Sequence, residues 1–332
     1  MAVGEAEARK LLASAGRVEI LSHVDLDGLA SSAVVARWAS SRGIEHQQHV
    51  AGARGLYAMA RKLLQQLAGS SRGVLVIADL GPKDLATAEA LVSYAERVGG
   101  IVWVDHHEWP SEALEALSRH SSVAVVHDRS RCSAEIMCSV VGCWDDSHSK
   151  VLVELARADD SCSSDPYGLA EKWRLVLRYL DWEGLRRAAR DLAEGNLWPD
   201  WADNLYKQRS AEYYEQLRST LTTIHEANGV RVAAVVPPPS ASACDLQRFG
   251  LVPGPSEADV VVIVYPKGLS IKTWGKLRAN CIAEKLGGGG HANVAGAPRP
   301  SQTMGPAQIA RMVAKLAAAC KGEVAGSHTR EH

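Results

Sequence analysis

The stretch Ile101-Val102-Trp103-Val104-Asp105-His106-His107 decides the fold of this chain. Its first four residues are apolar and rich in β-branched side chains, which predicts a buried strand. The strand ends in a carboxylate and two imidazoles. Because open α/β sheets bind ligands at the carboxyl ends of their strands, we interpret these polar residues as part of a functional site.

Two earlier apolar runs, 18–22 and 74–78, also end in side chains that can bind a metal ion: His23, Asp25, Asp27 and Asp79. Taken singly, Asp27 also suits a helix cap, and Asp79 suits a turn before Gly81-Pro82. Their recurrence on successive strand ends favours a metal site. Carboxylates mixed with imidazoles suit a divalent ion such as manganese, and there are enough of them for two ions.

The spacing of the first group carries its own prediction. On an extended segment, a period of two points His23, Asp25 and Asp27 to the same side. We expect Gly28 to provide a tight turn into a helix that begins at Leu29.

The first half of the chain alternates strands with helices, which predicts an α/β domain with a mostly parallel sheet. Helical periodicity occupies 29–41, 56–67, 85–98 and 133–141. Strand-like runs lie between these segments, near 18–23, 44–50, 74–79, 101–105 and 123–127.

The second half of the chain predicts a smaller α/β domain with a mixed sheet, reached through helices. From 169 to 227 the pattern is helical and contains no strand candidate. Strand-like runs follow at 230–236, 258–265 and 269–274, and helical patterns follow at 277–286 and 306–320. The predicted organisation is an α/β metal-binding domain, a helical connector, a smaller α/β domain and a flexible tail, at 1–165, 166–228, 229–322 and 323–332.

Composition excludes several classes of protein. The chain has 332 residues, 46% of them hydrophobic, and a formal net charge of −1, so a nucleic-acid site would have to be a local patch. We see no apolar run that could span a bilayer, and the first residues lack the apolar core of a signal peptide. Seven cysteines without a CxxC pair predict reduced thiols in a cytoplasmic protein, unless a hyperthermophile is the source.

These residues closely resemble the motifs of the DHH phosphoesterase superfamily, which includes RecJ-type exonucleases, nanoRNases and family II inorganic pyrophosphatases. The first motif, HxDxDG, is matched by 23–28, the second by Asp79, and the third by Asp105-His106-His107. The fourth is an Asp after a helix, for which we prefer Asp159 over Asp160.

The resemblance implies two manganese ions, for which Mg²⁺ or Co²⁺ could substitute. The first ion would be bound by His23, Asp25 and Asp79. The second would be bound by Asp27, Asp79, His106 and Asp159 (or Asp160). His107 would face the substrate phosphate, and Asp105 would orient its neighbours as a second member of the catalytic group.

A glycine run extends the resemblance to the second domain. The family signature GGGHxxAAG is matched by 288–296, which begins Gly288-Gly289-Gly290-His291. A helix cap needs one glycine, whereas several followed by a histidine suggest a backbone that binds an anion. The resemblance implies that this loop and a basic residue bind the substrate, and Lys272, Lys276 and Arg278 are the candidates.

A stripe of arginines in the predicted connector permits two interpretations. Arg174, Arg178, Arg186 and Arg190 recur at multiples of four, with Trp182 between them. Basic side chains beside an aromatic suit single-stranded nucleic acid. We favour a solvated face that pairs with the acidic residues of the same segment.

The function that we infer is hydrolysis of short single-stranded RNA or DNA to mononucleotides by a manganese-dependent phosphodiesterase, in which two ions activate a hydroxide. The alternatives are hydrolysis of a small nucleotide, such as 3′-phosphoadenosine 5′-phosphate or a linear or cyclic dinucleotide, and a RecJ-like single-strand DNA exonuclease. A non-catalytic replication scaffold is less favoured because every ligand is present. A homodimer is compatible with these functions, and the sequence does not distinguish RNA from DNA or one polarity from the other.

Overall fold

The computed structural model describes residues 4–290 and 292–326, with side chains described as far as 321. The chain divides into two compact units, Met1–Lys207 and Gln208–His332. The four domain ranges given above remain predictions.

The first unit contains five parallel strands: β1 (Arg17–Ser22), β2 (Glu45–Val50), β3 (Gly73–Ala78), β4 (Gly100–Asp105) and β5 (Val123–His127). Their order across the sheet is β2-β1-β3-β4-β5. The strand order reverses between β1 and β3, and such switch points are where α/β sheets open a crevice for ligands. The predicted α/β class and parallel sheet are confirmed.

Helices pack on both faces of this sheet. They are α1 (Glu5–Ser14), α2 (Leu26–Ser41), α3 (Leu56–Leu67), α4 (Leu85–Ala95), α5 (Ser111–Ser118), α6 (Ser133–Val141), α7 (Ser147–Asp160), α8 (Ala170–Leu177) and α9 (Trp182–Glu194). A short 3₁₀ turn, Ala53–Gly55, precedes α3, and α10 (Asp200–Leu217) runs across the boundary between the units.

Successive side chains of a strand point to opposite faces of the sheet, so the sheet contributes to two hydrophobic cores. Val74 and Val76 of β3 point into the core that α2 and α6 cover, whereas Leu75 and Ile77 point into the core that α3 and α4 cover. Burial on both faces explains why β3 and β4 have continuous apolar runs. Two buried layers fix the strands, and therefore the strand ends that carry the polar residues.

The second unit contains a six-stranded mixed sheet, as predicted. Its strands are β6 (Leu221–Ala227), β7 (Val230–Val236), β8 (Val260–Val264), β9 (Gly268–Thr273), β10 (Gly289–Gly290) and β11 (Val294–Pro298). Their order is β10-β11-β9-β8-β7-β6, in which β7 and β8 are parallel and the other neighbours are antiparallel. The helices of this unit are α11 (Ala243–Arg248), α12 (Ala279–Glu284) and α13 (Pro306–Gly326).

Two expectations need correction. The segment 169–227 was expected to be helical throughout, but 221–227 forms β6, because its Thr-Thr-Ile residues are β-branched and pair with β7. The flexible tail expected from 323 remains a prediction, since α13 continues to Gly326 and 327–332 lie outside the described residues. Reduced thiols were expected, but disulfides join Cys138 to Cys143 and Cys281 to Cys320.

The cytoplasmic location remains a prediction. Among the described residues, no helix is both long and apolar enough to cross a membrane.

Candidate metal centre

The loop between β1 and α2 brings the first histidine and the first aspartate together. His23 Nδ1 lies 2.6 Å from Asp25 Oδ2, and Asp25 caps α2 by accepting a hydrogen bond from the Gly28 N–H. A Cβ on Gly28 would lie 2.5 Å from the His23 carbonyl oxygen. The glycine is therefore needed for close approach of the loop to the helix and not for the turn that we expected.

Asp27 lies in the first turn of α2, so the extended spacing that we predicted holds only as far as Asp25. Its carboxylate is buried and accepts hydrogen bonds from the backbone N–H groups of Ser133 and Ala134, at 2.7 and 2.8 Å. These groups open α6, whose N-terminal dipole favours a negative charge. The start of α6 therefore fixes the orientation of Asp27.

Asp79 follows β3 in a left-handed backbone conformation, with φ of 61°. Asp tolerates this region better than most residues, and strain of this kind is concentrated at functional sites. Its Oδ1 accepts a hydrogen bond from the Ser133 hydroxyl at 3.2 Å. Its Oδ2 is buried and has no hydrogen-bond partner in the part of the chain that the structure describes.

Asp105 and His107, at the end of β4, lie in different environments. Asp105 is fully buried and accepts hydrogen bonds from His107 Nδ1, at 2.8 Å, and from the Trp109 indole. A Cβ on Gly81 would lie 2.7 Å from that indole nitrogen, so Gly81 makes room for the contact. His107 is half-exposed, and its Nδ1 also lies 3.7 Å from Asp79 Oδ1.

Asp160, and not Asp159, joins the centre from the end of α7. His106 Nε2 lies 3.4 Å from Asp79, 3.6 Å from Asp160 and 3.8 Å from Asp27, each measured to a carboxylate oxygen. Asp159 instead pairs with the nearly buried Arg174 at 2.6 Å. The geometry thus favours Asp160 over Asp159, which we had preferred, and the ligand role of either residue remains a prediction.

These side chains form overlapping groups in which every ligand atom lies within 4.8 Å of the others: His23, Asp25 and Asp79; Asp27, His106 and Asp160; and Asp79, Asp105, His106 and His107. Asp79 reaches both sides, since its Oδ2 lies 3.8 Å from His23 Nδ1 and its Oδ1 lies 3.4 Å from His106 Nε2. The arrangement offers two adjacent positions for a cation with Asp79 between them.

The carboxylates of the centre strongly perturb one another. Burial raises the pKa of Asp79 well above its ordinary value, and the charges of Asp25 and Asp27 raise it further. Burial also raises the pKa of Asp27 to about 7 and that of Asp160 to about 9. For Asp25 the effect of burial is outweighed by the charge and hydrogen bond of His23, which lower its pKa. Without a cation, several of these carboxylates therefore bind protons near neutral pH.

The predicted substrate-binding residues lie in the second unit. Gly289 and Gly290 form β10, and a Cβ on Gly288 or Gly290 would clash with β11, so packing accounts for these two glycines. The Lys272 ammonium donates to Gln247 at 2.7 Å, and Arg278 is exposed. His291 lies outside the described residues. The roles of these residues in binding substrate remain predictions.

The predicted arginine stripe is broken, because α8 ends at Leu177 and α9 begins at Trp182. Arg174 is nearly buried against Asp159, so it does not belong to a solvated face. Arg186 is exposed and pairs with Glu183, as the solvated interpretation predicted. The indole of Trp182 is 56% exposed.

Sequence reasoning missed Ser133, Trp109 and Arg174 as supports of the centre. Ser133 follows Cys132 at the start of a predicted helix, and the only signal for it was that position. Trp109 lies four residues beyond Asp105, but nothing in a single sequence indicates that its indole turns back.

Solved structures with the same fold place this centre in context. The chain aligns with RecJ from Thermus thermophilus in complex with Mn²⁺ (TM-score 0.61, 16% identity) over 95% of this chain and 55% of that one. An exonuclease RecJ bound to manganese gives a TM-score of 0.58 and 15% identity, over 97% of this chain and 95% of that one.

A third structure, the DHH domain of a member of a family of ribosomal proteins, gives a TM-score of 0.62 and 14% identity, over 96% of this chain and 88% of that one. No protein-family model and no curated sequence matches the chain. The chain has the fold of RecJ and of this DHH domain, so the predicted resemblance is confirmed at the level of the fold. It spans 55% of the Thermus RecJ chain.

Proposed function

We propose that this protein is a phosphoric ester hydrolase that uses two divalent ions, preferably Mn²⁺, to trim short single-stranded oligonucleotides to mononucleotides. The observation that carries the proposal is the grouping of carboxylates and imidazoles around Asp79 at the switch point of a parallel sheet. The RecJ structures with this fold were determined with manganese, which supports the choice of ion.

The donor set fits a pair of divalent ions. Buried carboxylates with raised pKa values lack a compensating positive charge, and the buried Oδ2 of Asp79 lacks a partner among the described residues. Hard oxygens with imidazoles suit Mn²⁺. We assign one position to His23, Asp25 and Asp79 and the other to Asp27, Asp79, His106 and Asp160. Bound there, two ions would polarise phosphoryl oxygens and lower the pKa of a water molecule.

The protein's own residues supply positioning and charge. Asp105 accepts a hydrogen bond from His107 Nδ1, which fixes the orientation of that imidazole. Burial alone would lower the pKa of His107, but the hydrogen bond and charge of Asp105 raise it. The Nε2–H is then available to donate to a phosphoryl oxygen, where charge develops during hydrolysis.

The proposal is tested by incubating the full chain with RNA and DNA oligonucleotides of increasing length, labelled at either end, in Mn²⁺ or in EDTA. We expect release of mononucleotides in Mn²⁺ only, with the fastest turnover on strands of a few nucleotides. The matched variants are Asp79→Asn, which removes the shared ligand, and Asp128→Asn, whose side-chain partners Ser130 and Arg131 lie outside the centre.

Two results would contradict parts of the proposal. Equal inactivity of the wild type and Asp79→Asn on every ester would exclude a hydrolase. Undiminished digestion of long DNA would replace oligonucleotide trimming with a RecJ-like activity, and release of phosphate from 3′-phosphoadenosine 5′-phosphate alone would replace it with a small-nucleotide phosphatase.

A further inference from the structure

A cavity of about 550 Å³ opens in the first unit beside α3 and α9. Its wall is formed by Val50 and Ala51 from the end of β2, and by Met59 of α3. The exposed indole of Trp182 lines the opening, together with Arg54, Lys62 and Arg186. None of these residues belongs to the candidate metal centre.

The polar part of this lining is entirely cationic. Arg54 and Lys62 are exposed and form no ion pair with any residue that the structure describes. Arg186 pairs with Glu183, at an exposed position where such pairs are weak. On a chain with a net charge of −1, three cations around one cavity are a local patch that suits an anion.

A solvated charged face does not account for the exposed indole of Trp182. Its indole is 56% exposed at the first residue of α9, where it projects beside the cations. A large aromatic left in water beside positive charge suits the flat face of a nucleobase, with the cations contacting the phosphates. The combination distinguishes this cavity from a simple phosphate site, because a phosphate alone has no use for the indole.

The cavity lies one strand away from the metal centre. Ala51 donates its backbone N–H to the Ser22 carbonyl at 2.9 Å, and His23 follows Ser22 directly. Neighbouring strands lie about 4.8 Å apart, so the wall of the cavity and the first metal position are adjacent. A strand with a phosphodiester at the centre would therefore have a further nucleotide, outside the two that flank this bond, within reach of the cavity.

We infer that this cavity binds a nucleotide of a single-stranded substrate beyond the phosphodiester that is cleaved, with a base stacked on Trp182 and phosphates contacted by Arg54, Lys62 and Arg186. The inference rests on the proposed function and extends it, since it specifies oligonucleotides over isolated mononucleotide phosphates. It also predicts that the protein prefers strands longer than a dinucleotide.

Two measurements test the inference with Trp182→Ala and the control Trp144→Ala, which removes an indole that is 40% exposed elsewhere on the same unit. In EDTA, binding of a fluorescein-labelled tetranucleotide is followed by anisotropy. In Mn²⁺, kcat/KM is compared between that tetranucleotide and a dinucleotide. We expect Trp182→Ala to weaken tetranucleotide binding and kcat/KM about ten-fold while leaving the dinucleotide within about two-fold.

The cations are tested through salt. Arg54→Ala should reduce the slope of log K against log[salt] by about 0.7, the value for one phosphate contact on a single strand. Arg190→Ala, which removes an exposed cation of α9 outside the cavity, should not change it. Equal effects of the two arginine variants would overturn the inference.

Failure of the inference can be separated from failure of the proposed function. If the wild type hydrolyses both substrates and Trp182→Ala behaves as Trp144→Ala, the cavity is not a nucleotide site and the proposed function stands. If the wild type hydrolyses neither substrate but binds the tetranucleotide through Trp182, the site stands and the proposed hydrolysis fails.

Discussion

Asp159 and Asp160 show how a shift of one residue along a helix changes the partner of a carboxylate. They are adjacent at the end of α7, where successive side chains point about 100° apart. One carboxylate therefore reaches His106 and the other pairs with Arg174. Sequence reasoning limits the choice to these two residues but cannot make it, because the direction of each side chain depends on how α7 packs.

Asp160→Asn and Asp159→Asn should consequently fail in different ways. We expect Asp160→Asn to lose about 10³-fold in activity, because a bound ion contributes several kcal/mol to hydrolysis, and to fold normally. Asp159→Asn should keep its metal affinity but lose roughly 3 kcal/mol of stability, since it removes the carboxylate from the nearly buried Arg174. Isothermal titration with Mn²⁺ and denaturant unfolding measure the two effects, and the reverse pattern would restore Asp159 as the ligand.

At the scale of elements, the first turn of α2 contributes both to the fold and to the candidate metal centre. The sequence predicted this helix and its glycine, but the predicted start at Leu29 is three residues later than the observed start at Leu26. The difference arises because Asp25 was interpreted only as a ligand, whereas it is also the cap. The cap is compatible with the proposed ligand role, because a capping carboxylate has a second oxygen.

Gly28→Ala should therefore affect the site more than the stability. The added methyl would lie 2.5 Å from the His23 carbonyl oxygen, which forces the loop away from α2. We expect Mn²⁺ affinity to fall at least ten-fold, while a gain in helix propensity of about 1 kcal/mol offsets part of the strain. Gly16→Ala, at the other end of β1, meets only the flexible Arg72 side chain at 3.4 Å and should leave Mn²⁺ affinity unchanged.

Strand β1 also contains Glu19, a charged residue whose role the sequence did not indicate. Glu19 is fully buried, and its carboxylate accepts hydrogen bonds from Arg17 and from His49 of the neighbouring strand β2. Burial alone would raise its pKa, but these hydrogen bonds and charges lower it from the ordinary value of 4.5. A strand pattern of alternating residues cannot reveal such a pair, because the partner on β2 is thirty residues away.

The sign of the pH dependence follows from the lowered pKa of Glu19. The carboxylate is the form that folding favours, so its contribution is present above pH 4.5 and is lost as the pH falls through the folded-state pKa. We expect Glu19→Gln to be about 2 kcal/mol less stable at pH 7. Urea unfolding between pH 3 and pH 7 should show this difference shrinking in acid, and a difference independent of pH would contradict the assignment.

At the scale of the molecule, strand positions in both units were largely predictable, whereas β6 and the β10–β11 hairpin were not. Buried strands have continuous apolar runs, but β6 is an edge strand whose Leu221 and Ile224 are exposed, so its pattern resembles the helices before it. The glycine run was interpreted as a loop because Gly289 and Gly290 have little strand propensity. Pairing with β11 imposes the strand.

Metal binding should stabilise the two units unequally. The candidate ligands all lie in Met1–Lys207, so Mn²⁺ at about a hundred times its Kd should add roughly 2.7 kcal/mol to that unit alone. Binding of the ion should also displace protons from Asp27 and Asp160, whose pKa values are raised to about 7 and about 9, so the gain should increase with pH. Calorimetry with and without Mn²⁺ should show one shifted transition, and equal shifts in both units would contradict the prediction.

The distance along the chain between Asp27 and Asp160 has a consequence for the order of events during synthesis and refolding. These two carboxylates meet the same histidine, His106, although most of the first unit separates them in sequence. A nascent chain that has not yet folded α7 cannot assemble the second cation position, so an ion at that position would bind late and would not nucleate the fold. Occupancy of the second position by Mn²⁺ should accordingly slow unfolding in stopped-flow experiments and leave the refolding rate nearly unchanged.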